Sequence, residues 1–373
     1  MSALTGLRLL DLSRQLPGPF CSTVLGDLGM DVLCIAAPND PFATGIPFLA
    51  RNKRHMTLNL KSDAGREVFL RLADRADVVL EGFRPGVMAR LGVDYATLAA
   101  RNPRIIYCAI TGYGQDGPYR DRVGHDVNYL GFAGVLNYIG TPDGPPVIPG
   151  VQIADIGAGS LMAAVGILSA VIARERTGRG QQIDVAMLDG AIAWNVYHIL
   201  LAQLAGRPPV RAEAQLTGRY PCYAVYETRD GRHVTVGAYE GHFWATLCHH
   251  FGREDFVGAQ WDEGRREEML AFFRARFREK TLAEWMAELG EKEICFGPVA
   301  TLDEVQKDPQ VRHRRMLVDM PGGPAPAPPI KLSDTPAAIR TPPPAFGADT
   351  DAVLAELGYP AGEVAELRRC GVV

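Results

Sequence analysis

Three ionisable residues stand in local sequences that could support acid–base chemistry. His125 is followed directly by an acidic residue, and Asp155 is followed by the small residues 157–159. Glu240 comes at the end of a short apolar segment. A histidine exchanges protons near neutral pH, and a carboxylate can act as a base or as a nucleophile. Together the three favour proton transfer at carbon, whereas Asp155 alone would also allow covalent acyl transfer.

Each of these residues also has a structural interpretation. An Asp just ahead of a helix is a common N-cap, which favours a capping role for Asp155. Two features favour chemistry instead: the small residues 157–159 would let a ligand approach the backbone, and a helix N-terminus stabilises developing negative charge. His125 alone is typical of a structural or surface histidine, and Glu240 alone of a solvated strand end. The prediction therefore depends on all three sharing one site.

Composition excludes several classes of protein. The chain has 373 residues, which predicts two domains, and its 47% hydrophobic and 22% charged residues are typical of a globular protein. A formal net charge of −4 gives no reason to expect binding to nucleic acid or to an acidic membrane. Seven cysteines without metal-ligand spacing indicate reduced thiols in a cytosolic protein, with neither disulfides nor zinc.

The sequence predicts no targeting or membrane segment. Residues 1–8 lack a basic segment followed by an apolar region, so no secretory signal is expected. The most apolar stretch, 160–173, is shorter than the roughly 20 residues that a bilayer requires. We expect this stretch to be a buried helix of a cytoplasmic protein.

Alternating strand and helix patterns organise the first part of the chain. Strands are predicted at 8–12, 31–35, 77–80 and 104–110, with helices at 20–28 and 63–73 between them. This alternation favours an α/β fold with a Rossmann-like, mostly parallel sheet, whose ligands lie beyond the carboxyl ends of the strands. Neither a phosphate-binding P-loop nor a Gly-rich dinucleotide loop is present, so the sheet does not imply NAD.

Further along, the pattern changes character. It predicts a helix at 157–174 that begins just after Asp155, a strand at 182–187 and a helix at 190–204. Alternating strands follow at 221–228 and 233–238 across an Asp-Gly turn, with helices at 263–278, 282–289 and 349–370 and a proline-rich connector at 321–329. We expect a large domain, 1–205 completed by 331–373, and a smaller α+β domain, 206–330.

Short motifs occur along the whole chain at 25–29, 51–54, 58–61, 81–87, 111–115, 177–181, 308–311 and 354–359. In this order they resemble the class III CoA-transferase superfamily of CaiB/BaiF type over nearly the full length. Racemase-like members carry Gly-His-Asp-Ile-Asn-Tyr, matched by 124–129, and Val-Gly-Ala-x-Glu, matched by 236–240. Transferases share the Asp aligned with Asp155 but typically lack that histidine, so the resemblance is closest to the α-methylacyl-CoA racemases.

The resemblance implies a role for each ionisable residue. Inverting a carbon beside a thioester needs one group to remove the α-proton and another to deliver a proton on the opposite face. His125 and Asp155 would be those groups, with Glu240 hydrogen-bonded to His125 and a helix N-terminus stabilising the enolate. In a transferase, Asp155 would instead be the nucleophile that forms an acyl anhydride.

The resemblance also implies that CoA lies along the large domain, bound as part of the substrate, with no metal and no other cofactor. Arg84 and Arg90 are expected to bind its phosphates. Other contacts are expected from Leu58, Asn59, Leu60, Lys61, Gly82, Phe83, Gly124, Asp126 and Tyr129. One departure is that members of the superfamily usually carry basic and acidic residues after the second strand, where this chain has Cys34 and Ala37. The basic CoA contact expected there is absent.

An interlocked homodimer is the family arrangement, with the active site between the large domain of one subunit and the small domain of the other. The leading hypothesis is thus an acyl-CoA racemase or epimerase acting on 2-methyl-branched thioesters, with no nucleic-acid or membrane partner. The alternative is a family III CoA-transferase that uses Asp155 as nucleophile. A non-catalytic acyl-CoA binding protein is a third, more distant hypothesis.

Overall fold

Six strands within the first 186 residues form one sheet. The computed structural model describes residues 2–40 and 45–373. All neighbouring strands of the sheet are parallel, in the order β3-β2-β1-β4-β5-β6. Every residue of β4 and β5 is buried, as expected for parallel strands covered on both faces. The order reverses between β1 and β4, the kind of switch point beyond which open α/β sheets bind ligands.

The strands are numbered in chain order. They are β1 Arg8–Asp11, β2 Asp31–Ala36, β3 Lys53–Thr57, β4 Val78–Glu81, β5 Ile106–Thr111, β6 Gln182–Ala186, β7 Tyr223–Glu227, β8 His233–Gly237, β9 Phe296–Pro298, β10 Leu317–Met320 and β11 Gly323–Pro326. Strands β7, β8 and β9 form a separate antiparallel sheet, and β10 pairs with β11. The expected α/β class with a parallel sheet and a second, antiparallel part is confirmed.

The helices connect and cover these strands. They are α1 Pro17–Asp27, α2 Asp63–Ala73, α3 Val87–Arg90, α4 Tyr95–Arg101, α5 Asp126–Phe132, α6 Met162–Thr177, α7 Met187–Trp194, α8 Val196–Ala205, α9 Gly241–His250, α10 Glu254–Val257, α11 Arg266–Phe277, α12 Leu282–Leu289, α13 Leu302–Lys307, α14 Pro309–His313, α15 Thr350–Glu356 and α16 Ala361–Arg369. A π-helix, Ile153–Leu161, runs directly into α6.

Several elements differ from the sequence prediction. The helix predicted at 190–204 is two helices, α7 and α8, and the one at 349–370 is α15 and α16, separated by Gly358 and Pro360. The predicted proline-rich connector, 321–329, instead contributes β11 to a hairpin with β10. An edge-strand hairpin tolerates prolines because their missing N–H groups can point away from the partner strand.

Contacts divide the chain into two units. The first comprises 1–135, 149–195 and 313–373, and the second 136–148 and 196–312. The large domain expected at 1–205 with 331–373 and the small one at 206–330 stay predictions about domain organisation. The contact-based units differ from them in assigning 136–148 and 196–205 to the second unit and 313–330 to the first.

Each unit has its own core. In the first, apolar residues of the sheet pack with α2 and with Val353, Leu354 and Val373 from the C-terminal segment. In the second, Trp244 and Trp285 join phenylalanines of α11 in an aromatic cluster beneath β7 and β8. Burial of aromatic side chains is the main stabilising contribution there.

Asn52 fastens the C-terminal return segment to the first unit. Its backbone has φ +58°, a left-handed conformation that Asn tolerates. Its amide nitrogen donates to Asp27 Oδ1 and to the Ala338 carbonyl, both at 2.8 Å. Its amide oxygen accepts the N–H groups of Arg340, at 2.6 Å, and Thr341, at 3.1 Å. The side chain is thus fully satisfied and links two segments almost 290 residues apart.

Asn52→Ala is expected to lower the free energy of unfolding by about 2–4 kcal/mol, because four hydrogen bonds are lost at a buried site and alanine is disfavoured at positive φ. Denaturant unfolding would measure the loss, and limited proteolysis near residue 340 would report release of the segment. Asn39→Ala, at an exposed position, is the control and should change stability by less than about 0.5 kcal/mol. Equal stability of both variants would contradict this role of Asn52.

Among the residues described, one helix is long and apolar enough to cross a bilayer. It is Ile153–Thr177, with 25 residues, and 44% of its most apolar window is buried. This helix is longer than the apolar stretch 160–173 identified in the sequence, because the π-helix continues into α6 without a break. Length and composition alone are weak evidence, since a core helix of a soluble protein meets the same criteria.

Candidate active site

A cleft of about 600 Å³ opens at the carboxyl ends of β1, β4 and β5 in the first unit. Its wall is formed by residues of the segments that follow these strands, 13–18, 82–85 and 110–113, together with Arg120, residues 122–125 and the start of α5. No Asp or Glu lines it within the described part of the chain, but Arg14, Arg84, Arg120 and Arg122 do. The cleft therefore favours an anionic ligand, although the whole chain is slightly acidic.

His125 lines this cleft at the N-cap of α5. Its side chain is exposed, and its backbone N–H donates to Asn128 Oδ1 at 3.0 Å. The Asn128 N–H in turn donates to the His125 carbonyl at 2.8 Å. This reciprocal pair fixes the backbone of His125 and leaves its imidazole available to a ligand.

Asp155 lies in the first turn of the π-helix, where Gln152 is the N-cap and makes no side-chain capping bond. The structural interpretation of Asp155 as an N-cap is therefore wrong. Burial raises the pKa of Asp155 to about 6, and the negative charge of Asp126 contributes a smaller part of this shift. The nearby His125 opposes it. π-Helical turns are often found at functional sites, and a carboxyl with a pKa near neutrality can both accept and donate a proton.

Asp126 connects His125 to Asp155. Its side chain is buried, and Oδ1 accepts the backbone N–H groups of Ala154, at 2.7 Å, and Asp155, at 3.0 Å. These two N–H groups at the start of the helix are consequently occupied and cannot serve the enolate as the sequence suggested. Asp126 was expected to contact CoA. That contact stays a prediction, while the structure gives Asp126 a positioning role.

The small residues after Asp155 accommodate a helix rather than a ligand. A Cβ on Gly157 would overlap the indole of Trp194, and one on Gly159 would lie 3.0 Å from Met187 Cγ. Both neighbours belong to α7. The sequence interpretation that residues 157–159 admit a ligand is therefore wrong, because α7 occupies that space.

Tyr129 also lines the cleft. Its hydroxyl donates to the Gly124 carbonyl, and its ring meets Tyr113 edge-on at 5.3 Å between centroids. Burial raises the pKa of the Tyr129 phenol to about 12, and the charge of Asp155 contributes to this shift, so the phenol stays neutral. Gly112 must lack a side chain, because a Cβ there would overlap the Tyr129 ring.

Glu240 belongs to the second unit, where it is the N-cap of α9 and is exposed. Its carbonyl accepts the Trp244 N–H at 3.1 Å, and burial and the charge of Glu240 raise the pKa of Cys295. The hydrogen bond expected between Glu240 and His125 stays a prediction.

The residues expected to bind CoA divide into two groups. Gly82, Phe83, Arg84, Gly124 and Tyr129 line the cleft. Leu58 is only 1% exposed and lies in the core, so it could offer a ligand only its backbone. Beyond it, Asn59 and Leu60 are half-buried, and Lys61 and Arg90 are exposed. Their contacts to CoA stay predictions.

The wall next to Arg84 is held from inside by Glu81. This residue is 4% exposed and accepts the Phe83 N–H at 2.6 Å and the Tyr107 hydroxyl at 3.3 Å. Burial raises its pKa to about 7, with the two hydrogen bonds opposing. Glu81 therefore fixes the turn that presents Arg84 to the cleft.

Cys34 in β2 is one of the two positions where a basic residue was expected, and its side chain faces inward. Cys34 Sγ lies 3.9 Å from Asp11 Oδ2, and burial raises its pKa to about 12. The same carboxylate lies 3.8 Å from Lys53 Nζ, which also donates to Ser22 Oγ at 2.7 Å. The thiol is thus an unreactive packing residue beside a buried ion pair.

Sequence reasoning missed part of the wall: Ser13, Arg14, Gln15, Arg120 and Arg122. Gln15 adopts φ +64°, an uncommon conformation for a residue other than glycine. The arginines gave a signal that could have been used, since 120 and 122 lie in the five residues before His125. Within the described ranges, no group of three or more His, Cys, Asp or Glu residues is placed to hold a metal ion.

Comparison with known proteins identifies the family of the chain. Residues 4–350 match the family CoA-transferase family III. An α-methylacyl-CoA racemase of Mus musculus is 37% identical, covering 99% of this chain and 97% of its own. An acyl-CoA transferase of Fusarium pseudograminearum is 34% identical, covering 100% and 88%.

A solved structure of a CaiB/BaiF family protein from Brucella suis has a TM-score of 0.83 and 31% identity, covering 95% of this chain and 99% of that one. The chain therefore belongs to CoA-transferase family III. It is an enzyme of the superfamily that includes both racemases and CoA-transferases, as the sequence motifs indicated. Relatives of both kinds are similarly identical to it, so overall identity does not separate the two activities.

Proposed function

We propose that the protein is an acyl-CoA racemase or epimerase that inverts the α-carbon of 2-methyl-branched acyl-CoA thioesters. The observation that carries the proposal is the coupling of His125 to Asp155 through Asp126. The residue next to His125 binds the backbone of Asp155, and the charge of His125 acts on the Asp155 carboxyl, whose pKa is about 6. An imidazole and a carboxyl whose pKa lies near neutrality, held on one scaffold, suit proton exchange in both directions.

In one direction, the His125 imidazole removes the α-proton, and the C–H electron pair delocalises into the thioester as an enolate. The Asp155 carboxylic acid then donates its proton to the opposite face of that carbon. In the other direction, ionised Asp155 is the base and the imidazolium is the acid. This chemistry requires no metal and no redox cofactor, because CoA is part of the substrate and activates the α-hydrogen as a thioester.

The same proposal includes the remaining expectations. Glu240 would orient the His125 imidazole, and an interlocked homodimer would bring it there from a second subunit. The partners would be an acyl-CoA and a second copy of the chain, in the cytoplasm, without nucleic acid or membrane. Size-exclusion chromatography with light scattering would test the dimer, which a monomer at micromolar concentration would contradict.

The alternative function is CoA transfer, favoured by relatives such as the acyl-CoA transferase of Fusarium pseudograminearum. There the Asp155 carboxylate would attack the thioester carbonyl and release the CoA thiolate, leaving a mixed anhydride on Asp155. An incoming carboxylate would then attack the Asp155 carbonyl of this anhydride and displace the donor acid as its carboxylate. The thiolate would attack the carbonyl of the new acyl group, which forms the acceptor's CoA thioester and regenerates the Asp155 carboxylate. In this reaction His125 and Glu240 would orient the carboxylate acceptor instead of exchanging a proton with carbon.

Incubation with one enantiomer of a 2-methylacyl-CoA in deuterated water separates the two functions. The racemase should exchange the α-hydrogen for deuterium and lose stereochemical purity. His125→Ala should lower this exchange by roughly 10²–10⁴-fold, the usual contribution of a general base. His242→Ala, another exposed histidine, is the control. No exchange, together with CoA transfer to an added carboxylate and trapping of an acyl group on Asp155 by hydroxylamine, would refute the racemase.

The pH dependence of kcat/KM provides an independent test. A racemase needs one proton shared between His125 and Asp155, whichever acts first as base. Its rate should fall on both sides of an optimum, because addition of a second proton and loss of the shared proton each remove the active form of the pair. The Asp155 carboxyl, whose pKa is about 6, is one of the two titrating groups. A transferase needs only ionised Asp155, so a profile that falls only at acid pH would favour that function.

A further inference from the structure

Ser160 binds the backbone of the π-helix that carries Asp155. It follows Asp155 by five residues, its side chain is buried, and its hydroxyl oxygen lies 2.9 Å from the Asp155 carbonyl oxygen. In a π-helix the carbonyl of each residue accepts the N–H group five residues later, so the two residues have the spacing of a π-helical hydrogen bond. The Ser160 hydroxyl therefore adds a second donor to the turn that sets the position of Asp155.

The same hydroxyl reaches the start of α1. Its oxygen lies 2.6 Å from the carbonyl oxygen of Pro17, the first residue of α1, which also lines the cleft. Because a hydroxyl carries one proton, Ser160 shares that proton between the two carbonyls and ties the π-helix to the wall of the cleft. Gly157 and Gly159 face α7 instead, so the π-helix is held between α1 and α7.

Side chains thus fix both backbone polar groups of Asp155. Asp126 Oδ1 accepts its N–H at 3.0 Å, and Ser160 Oγ donates to its carbonyl at 2.9 Å. A π-helical turn contains about one residue more than an α-helical turn, and successive residues of an α-helix are rotated by about 100°. Relaxation of this turn to an α-helix would therefore rotate the Asp155 carboxyl by about that angle relative to α6.

We propose that Ser160 is a positioning residue that holds Asp155 in π-helical register beside the segment bearing His125. The proposal rests on the racemase function, because it concerns the face of the α-carbon that Asp155 serves. The backbone of His125 is fixed separately, through Asn128. Loss of the Ser160 hydroxyl should consequently displace Asp155 and leave His125 in place.

Exchange of the α-hydrogen, measured from each enantiomer of a 2-methylacyl-CoA separately, tests this role. One enantiomer loses its α-proton to His125 and the other to Asp155, so the two rates in deuterated water report the two groups separately. The exposed imidazole can trade its proton with solvent and return a deuteron to the same face. Ser160→Ala should therefore slow exchange of one enantiomer by roughly 10- to 100-fold and that of the other by less than about threefold, with CoA binding unchanged.

Thr23→Val is the matched control. Thr23 is a buried residue of α1, and its hydroxyl likewise lies 2.6 Å from each of two carbonyl oxygens, those of Pro19 and Leu49. Valine keeps the shape and removes the hydroxyl, so this variant should lose stability much as Ser160→Ala does, with the ratio of the two exchange rates unchanged. Ser160→Cys retains a weak donor of nearly the same size and should recover part of the lost rate.

A selective loss for one enantiomer that is largest in Ser160→Ala, smaller in Ser160→Cys and absent in Thr23→Val supports the proposal. Equal slowing of both enantiomers by Ser160→Ala overturns it, as does the same selective loss in Thr23→Val, since either result indicates a general weakening of the fold. If the unmodified protein exchanges neither enantiomer, the proposed function fails and this role fails with it. Exchange of both enantiomers by the unmodified protein, without a selective loss in Ser160→Ala, refutes the role of Ser160 alone.

Discussion

Asp155→Asn is expected to lower turnover by about 10³-fold or more while leaving CoA binding largely intact. Asparagine has nearly the same shape as the carboxyl, but it can neither exchange a proton near neutral pH nor form an anhydride. The loss is therefore expected for a racemase and for a transferase. Initial rates with a 2-methylacyl-CoA and calorimetry with CoA would separate the loss of chemistry from a loss of binding.

The same substitution should stabilise the fold above pH 6. Burial and Asp126 raise the Asp155 pKa from 3.8 to about 6, so the folded protein retains a proton there that the unfolded chain releases near pH 4. Stability of the unmodified protein consequently falls as pH rises from 4 to 6, and asparagine removes this effect. Because the carboxyl is partly exposed, we expect a gain of about 1 kcal/mol at pH 8 and none below pH 4.

Thermal unfolding of Asp155→Asn at pH 4 and pH 8 would measure this difference. Asp143→Asn, which neutralises an exposed carboxylate, serves as the control and should change neither activity nor stability appreciably. If Asp155→Asn is instead less stable than the unmodified protein at pH 8, the Asp155 carboxylate stabilises the fold, which would contradict the expected stabilisation by asparagine.

Asp126→Ala is expected to reduce both stability and activity strongly. The substitution leaves the N–H groups of Ala154 and Asp155 without their acceptor, at a cost of about 2–4 kcal/mol. It also releases Asp155 from the segment that carries His125, which should lower kcat by about 10²-fold, since a small misplacement of catalytic groups is costly. Denaturant unfolding and α-hydrogen exchange would measure the two effects.

Asp126→Asn separates position from charge. Its side-chain oxygen can still accept both N–H groups, so stability should remain within about 1 kcal/mol of the unmodified protein. The negative charge beside Asp155 is gone, so the Asp155 pKa should fall below about 6 and the pH optimum should move to lower pH. Equal destabilisation by alanine and asparagine would contradict the hydrogen-bonding role of Asp126.

Local pattern predicted the sheet well because its strands are buried on both faces. β1, β2, β4 and β5 consist largely of apolar residues, so the sequence alone located them. β3 was missed because its sequence, Lys-Arg-His-Met-Thr, is polar. Tertiary partners compensate these polar side chains: Lys53 lies beside the Asp11 carboxylate, and His55 Nδ1 accepts the Gly347 N–H at 3.0 Å.

The residues of the candidate site were predictable, but their relations were not. A motif can indicate that His125 and Asp155 matter, yet only the fold shows that Asp126 joins them and occupies the N–H groups expected to stabilise an enolate. Helix α7 packs against Gly157 and Gly159 of the π-helix, a contact between segments with no local sequence signature.

The segment between β5 and α5 bears Arg120 and Arg122 but contributes no strand to the sheet. Substitutions or short insertions there would alter the charge of the cleft without disturbing the strand register that supports the proton-exchanging pair. A laboratory evolution experiment could thus randomise residues 116–123 to change which thioesters the enzyme accepts, while the helices carrying His125 and Asp155 remain as an invariant scaffold.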